Sequence, residues 1–232
     1  MAERQPHVLV TGGTGALGVA VLGELLQSGY PVTTTWVVPE ERDRVQSDFP
    51  ASDGLTLVQA DVMDEQAVLE AVEGVDGLGA VVNLVGGYSA PGKVHESSIE
   101  DFEAMLRLNL RPAFLLARVA IPRLVNAGGG SFVCVSARPA LRPFGGAAGY
   151  VTAKAGVLAF IQALDAEYRA EGVRCNAILP SVIDTPANRR AQPDADHSKW
   201  VPPQEIAKVI RFLVSDESAP TSGAAIPVYG RA

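Results

Sequence analysis

Short apolar runs alternate with longer segments of helical period along the whole chain. Runs at His7–Thr11, Pro31–Val38, Leu55–Gln59, Gly79–Leu84, Gly130–Ser136, Val173–Leu179 and Ala224–Tyr229 have the length and β-branched content of strands. Between them, helical periodicity covers Ala16–Ser28, Glu40–Ser47, Asp64–Val72, Ser98–Asn126, Ala147–Glu171 and Pro203–Val214. Several strands, such as Phe132-Val-Cys-Val, are continuously apolar, which suits a sheet covered on both faces. The alternation predicts an α/β fold: one doubly wound, parallel, seven-stranded sheet with helices on both faces, spanning residues 1–232 as a single domain. The long irregular stretch from Pro180 to Pro203 reads as a lid or binding loop.

The first predicted strand runs straight into Thr11-Gly-Gly-Thr-Gly-Ala-Leu-Gly18, which opens the first helix. Glycines there let backbone N–H groups approach a pyrophosphate, and a helix N-terminus adds partial positive charge. Strand, glycine turn and helix in that order support a nucleotide cradle built on Gly12, Thr14, Gly15, Ala16, Leu17 and Gly18. In such a sheet the ligand lies beyond the carboxyl ends of the strands, where Asn83, Ser136 and Pro180 also fall. Trp36 occupies the end of the second strand, where an acid usually reads the adenine ribose. Glu40 for a ribose, or Arg42 and Arg44 for a 2′-phosphate, leave NAD and NADP both open. Asp61 and Val62, after the third strand, are placed to meet adenine; Asp61 as a helix N-cap is the alternative.

Tyr150 and Lys154 stand at i and i+4 in a helical segment, so their polar tips share one face. A phenol is a weak acid near pH 7, and a nearby cation stabilises its phenolate. That pair suits proton exchange with a carbonyl oxygen while hydride moves at its carbon.

Net charge of −7 and a pI near 5.0 argue against nucleic-acid or anionic-membrane partners. No apolar run reaches membrane-span length, and the N-terminus enters strand-like sequence without an apolar leader. Cys134 and Cys175 lie in apolar runs and read as buried hydrophobes. Together these imply a cytoplasmic protein, and no metal centre is expected.

With the glycine turn, Asn83-Leu-Val-Gly86, Asn109, Ser136, Tyr150/Lys154 and the segment Pro180 to Thr185 in order, the chain resembles the short-chain dehydrogenase/reductase (SDR) family over essentially its whole length. The resemblance implies an NAD(P)(H)-dependent oxidoreductase with a Ser136–Tyr150–Lys154–Asn109 catalytic set. Tyr150 would be the acid/base, Lys154 would bind the nicotinamide ribose and lower the tyrosine pKa, and Ser136 would hold the substrate carbonyl. Asn109 would help hold a water leading from the lysine. Val85, Gly86, Ile183 and Thr185 would complete the cofactor contacts, Thr185 at the carboxamide. The C-terminal run Leu179 to Arg189, with Trp200 and Gly86-Gly87-Tyr88, is similar to the quinonoid dihydropteridine reductase branch. That branch has no serine at the position of Ser136 and an aspartate at that of Trp36. Ala16, Ser181 and the fourteen-residue step from Ser136 to Tyr150 depart from the usual SDR pattern.

The small-molecule substrate is thus expected to be a carbonyl, alcohol or quinonoid pterin-like compound. A 3-oxoacyl thioester or sugar reductase, and a non-catalytic NAD(P)-binding sensor or scaffold, are the alternatives. Tyr88, Phe144 and Trp200 are candidate aromatics at the mouth. The resemblance implies that the apolar helices Ser98–Asn126 and Ala147–Glu171 pair in a homodimer or homotetramer.

Overall fold

The computed structural model of the chain describes residues 5–50 and 54–232. The reading of the N-terminus as leaderless rests partly on residues 1–4, which lie outside them. The strands are β1 His7–Thr11, β2 Val32–Trp36, β3 Leu55–Gln59, β4 Leu78–Asn83, β5 Gly130–Val135, β6 Val173–Pro180 and β7 Ala225–Val228. All pair in parallel in the order β3-β2-β1-β4-β5-β6-β7, which reverses direction between β1 and β4. Parallel neighbours require a crossover, and here each crossover carries helix.

The helices are α1 Ala16–Gln27, α2 Pro39–Asp48, α3 Glu65–Glu73, α4 Ile99–Asn109, α5 Arg111–Asn126, α6 Ala148–Tyr168, α7 Pro186–Ala191 and α8 Pro203–Val214. They build a separate core on each sheet face. Leu116, Ile121, Val157 and Ile161 from α5 and α6 cover Leu9, Val81, Phe132 and Cys175. On the other side Leu22, Leu25, Ile206 and Ile210 from α1 and α8 cover Val8, Val10, Val133 and Ile178. Successive strand residues face opposite ways, so a strand buried on both sides must be apolar at every position. The fold expected from the alternation is the fold observed.

Three boundaries differ for definite reasons. The predicted helix Ser98–Asn126 is two helices, broken at Leu110. Pro112 lacks an N–H, and its ring would collide with the carbonyl one turn earlier, so the chain restarts as α5. The second strand stops at Trp36 because Pro39 opens α2. The stretch from Pro180 to Pro203 contains the short helix α7 and a 3-10 turn at His197–Lys199 rather than irregular chain throughout.

Candidate active site

β1 delivers Thr11 to the sheet's carboxyl edge, and the turn Gly12–Gly15 leads into α1 at the β1/β4 switch point. Gly12 has φ of +75°, the left-handed region that favours glycine. A Cβ on Gly18 would lie 2.5 Å from the Gly13 carbonyl carbon, and one on Gly13 would overlap the Thr34 hydroxyl. The helix therefore packs directly on the turn's backbone. Gly15 is the N-cap of α1 and supplies no side-chain acceptor, so the first N–H groups of α1 are not capped by it. Ala16 is exposed, while Leu17 is half-buried against the core.

Two residues of α2 brace this turn. Thr14 donates its hydroxyl proton to Glu41 at 2.7 Å, and Arg44 donates to the Thr14 carbonyl at 2.6 Å. The Arg42 guanidinium lies 4.8 Å from the Trp36 ring centroid and pairs with Asp43. Glu41 and Arg44 are three residues apart on one helix face, a spacing visible in the sequence whose target was not.

At the end of β4, Asn83 is buried and accepts from the Thr11 hydroxyl (2.9 Å) and the Val85 N–H (3.2 Å). The next turn presses on α4 and α6: a Cβ on Gly86 would lie 2.6 Å from Asn109 Oδ1 and 3.0 Å from Lys154 Nζ. Asn109, buried at the end of α4, accepts from the Gly87 N–H (3.1 Å) and donates to the Met105 carbonyl (3.0 Å). Its side-chain oxygen pins the Gly86-Gly87 turn to α4, while its amide nitrogen bonds back within the helix.

Tyr150 and Lys154 share a face of α6, with the ammonium 6.0 Å from the phenol ring centroid. Lys154 is buried and donates to the Val135 carbonyl at 3.0 Å. Burial pulls its pKa down to about 8, partly opposed by Cys134. Tyr150 is pushed up to about 12, by burial first and by Tyr88 second. The expected lowering of the tyrosine by Lys154 is thus corrected. Loss of water around the phenol sets the upward direction, while the Lys154 ammonium is itself desolvated and turned toward the Val135 carbonyl.

Ser136 also differs from expectation. The residue is 2% exposed, and its hydroxyl donates to the backbone carbonyl of Lys154 at 2.7 Å. It ties the end of β5 to α6 and has no proton left to point at a substrate. The residue thirteen before Tyr150 is Ala137, which has no hydroxyl. The extra residue in the Ser136 spacing is the sequence signal of this displacement.

The remaining positions divide. Pro180 ends β6 at the same edge, and Ser181 donates to the Tyr229 carbonyl at 2.8 Å. Ile183 bridges to Val201, and the Thr185 hydroxyl caps α7 by accepting from the Asn188 N–H (3.2 Å). Asp61 is exposed and accepts from the Met63 N–H (2.9 Å), while the N-cap of α3 is Asp64. Val62 is buried in the core. Trp200, expected at the mouth, is buried against His197, whereas Tyr88 and Phe144 are exposed. A cavity of about 660 Å³ lies at the opposite end of the sheet, among Gly77–Gly79, Gly128–Gly130 and Gly172. Its Arg123 and Arg174 are committed to backbone carbonyls, and none of its lining residues belongs to the Gly12–Gly18 turn or the Tyr150–Lys154 pair. Among the described residues no group of three or more His, Cys, Asp or Glu side chains could hold a metal ion, and no helix is long and apolar enough to cross a membrane.

A doubly wound parallel sheet with a glycine turn at its switch point and a tyrosine–lysine helix beside it defines a nicotinamide-dependent oxidoreductase of Rossmann type. The chain belongs to the short chain dehydrogenase family, whose family model matches residues 6–196. It is 32% identical to the 2,5-dichloro-2,5-cyclohexadiene-1,4-diol dehydrogenase LinX of Sphingobium indicum, over 96% of this chain and 94% of that one. It is 30% identical to the 3-oxoacyl-[acyl-carrier-protein] reductase MabA of Mycobacterium bovis, over 96% and 91%. The solved structure of ElxO with NADP bound superposes with a TM-score of 0.91 at 24% identity, covering 97% of this chain and 98% of that one, and so supports the fold. The protein is an NAD(P)-dependent short-chain dehydrogenase/reductase of the kind that acts on alcohols and carbonyls.

Proposed function

We propose that the chain, read as one domain over residues 1–232, reduces a carbonyl group, with Tyr150 giving its proton to the carbonyl oxygen. The observation that carries this reading is a half-buried phenol on α6 whose ring lies 6.0 Å from the buried Lys154 ammonium, which itself packs against the Gly86 turn beside Gly12. The residues fit a dinucleotide. Side chains are excluded at Gly13 and Gly18 by backbone and Thr34, leaving a bare cradle, and the start of α1 offers N–H groups to a pyrophosphate. Gly12, Thr14, Gly15, Ala16, Leu17 and Gly18 would hold that end. Trp36, Asp61 and the backbone of Val62 would lie beside the adenosine, with Asn83, Val85, Gly86, Pro180, Ile183 and Thr185 along the nicotinamide half. When bound, the nicotinamide supplies or accepts the hydride.

Within this chain Lys154 places a positive charge beneath the crevice and keeps the proton supply next to Tyr150. Asn109 is a positioning residue for Gly86 and Gly87 rather than a group that meets substrate. The pterin branch remains one substrate class to assay. LinX is named for a cyclic diol and MabA for a linear acyl thioester, and these two shapes bracket the substrates to compare.

We infer a homodimer or homotetramer through α5 and α6, because Phe114 is 52% exposed and packs on Phe160, with ring centroids 6.1 Å apart. The unpaired, buried thiols of Cys134 and Cys175 suit a reducing cytoplasm. The decisive experiment is Tyr150→Phe: turnover of a carbonyl panel should fall by about 10²- to 10⁴-fold. Binding of NADPH or NADH, followed by fluorescence, should stay within about threefold. Full activity in the variant would refute the assignment.

A further inference from the structure

The Gly86-Gly87 turn determines where Tyr88 leaves the sheet. A Cβ on Gly87 would lie 2.5 Å from a Leu108 methyl, and its N–H is held by Asn109. The chain therefore runs flat over α4 and emerges beside α6. There the Tyr88 ring meets Tyr150 edge-on, with centroids 5.0 Å apart and planes at 87°. Such a perpendicular contact satisfies the quadrupoles of both rings. Yet Tyr88 remains 60% exposed, so it offers solvent a flat aromatic surface against the proposed proton donor. A cavity of about 290 Å³ is lined by Ser89 and Gly149, the chain neighbours of the two tyrosines, together with Val94, Phe102 and Met105.

A carbonyl held only by the Tyr150 hydrogen bond can still swivel about that bond. A second constraint is needed to present one face of its carbon. The Ser136 hydroxyl cannot supply it, because it is buried and donates to the Lys154 carbonyl. Against Tyr150 the exposed Tyr88 ring offers an aromatic surface, and such a surface best restrains a partner that is itself flat. A flexible linear chain gains less there, since it must freeze its rotors to lie against a ring.

We propose that Tyr88, in place of Ser136, orients the substrate by ring contact, and that the substrate is a planar cyclic carbonyl compound. The assignment rests on Tyr150 being the proton donor.

The test compares 2-cyclohexenone with an acetoacetyl thioester at saturating cofactor in wild type, Tyr88→Phe, Tyr88→Leu and Ser136→Ala. Tyr88→Phe keeps the ring and should retain cyclohexenone kcat/KM within about threefold. Tyr88→Leu should raise the cyclohexenone KM by about tenfold or more, with kcat nearly unchanged and the linear substrate unaffected. Ser136→Ala should change kcat by less than about threefold for either substrate. Calorimetric binding of cyclohexenone to the complex with oxidised cofactor, which has no hydride to give, makes the same comparison without turnover, and Tyr88→Leu should weaken it by about tenfold. Unchanged cyclohexenone KM and affinity in Tyr88→Leu would overturn the proposal. So would a drop of about 10² in Ser136→Ala, the loss expected of a missing oxyanion donor. Failure of the underlying reading shows itself separately, as full activity in Tyr150→Phe.

Discussion

Lys154 on α6 donates its ammonium proton to the backbone carbonyl of Val135, at the end of β5, at 3.0 Å. The contact spans nineteen residues and places a cation in a wall with little water. Burial disfavours the charged form, so the folded pKa lies near 8, against 10.5 in solution. Between those values the unfolded chain binds the proton and the folded chain does not. Stability from this group therefore rises with pH across that window, and at neutral pH the buried charge is a cost. Lys154→Met should raise the Tm of the cofactor-free protein at pH 7 by roughly 3–8 °C, and the gap should narrow by pH 10. Calorimetry at the two pH values decides it; a lower Tm at pH 7 would contradict the sign.

The glycine turn makes a steric prediction. In Gly18→Ala the new methyl would meet the Gly13 carbonyl carbon at 2.5 Å, and backbone there has nowhere to move. Overpacking of this kind costs about 1–3 kcal/mol. Gly77→Ala is the contrasting control: it has φ of +65° and nothing within 4 Å, so only backbone strain applies. Both variants should lose some thermal stability, but only Gly18→Ala should lose NADPH or NADH affinity, by about tenfold or more. Equal affinities in a fluorescence titration would remove the turn from the binding site.

Asn109 joins the Gly86-Gly87 turn to α4 through one side chain, accepting from Gly87 and donating to Met105 one helical turn back. Asn109→Ala leaves the Gly87 N–H without its acceptor, costing about 1–3 kcal/mol. If Asn109 acts by holding the turn beneath Tyr88, the variant should raise KM for a cyclic substrate in the same direction as Tyr88→Leu. Its kcat against pH should keep the wild-type shape. A changed pH profile would instead place Asn109 in the proton path.

On the same helix as Lys154, Asp165 accepts from Arg169 at 3.0 Å and from the Ser222 hydroxyl, tying α6 to the segment before β7. The Arg169 hydrogen bond, ahead of the other contributions, holds its carboxyl below the ordinary value of 3.8. A depressed carboxylate pKa gives stability that is full above the unfolded value and lost as pH falls through the folded one. Asp165→Asn should lower the Tm at pH 7 by roughly 3–8 °C. The difference from wild type should shrink below about pH 3.8. Thermal melts across pH 3 to 7 check both statements.

What could be read along the chain were features with local causes. Strand and helix periods follow from backbone geometry, so the alternation from His7 to Tyr229 announced the doubly wound sheet before any contact was known. The same holds for the glycines at 12 to 18 and for the spacing of Tyr150 and Lys154 on one helix face. Features set by distant segments stayed hidden. The direction of the Ser136 hydroxyl depends on where α6 lies against β5, and the partner of Glu41 and Arg44 depends on α2 folding back over the turn. Packing also took the water from Tyr150 and Lys154 and reversed the expected tyrosine shift. Periodicity is written in neighbouring residues, whereas burial, the choice of hydrogen-bond partner and the charge state of a phenol exist only once remote segments have closed around them.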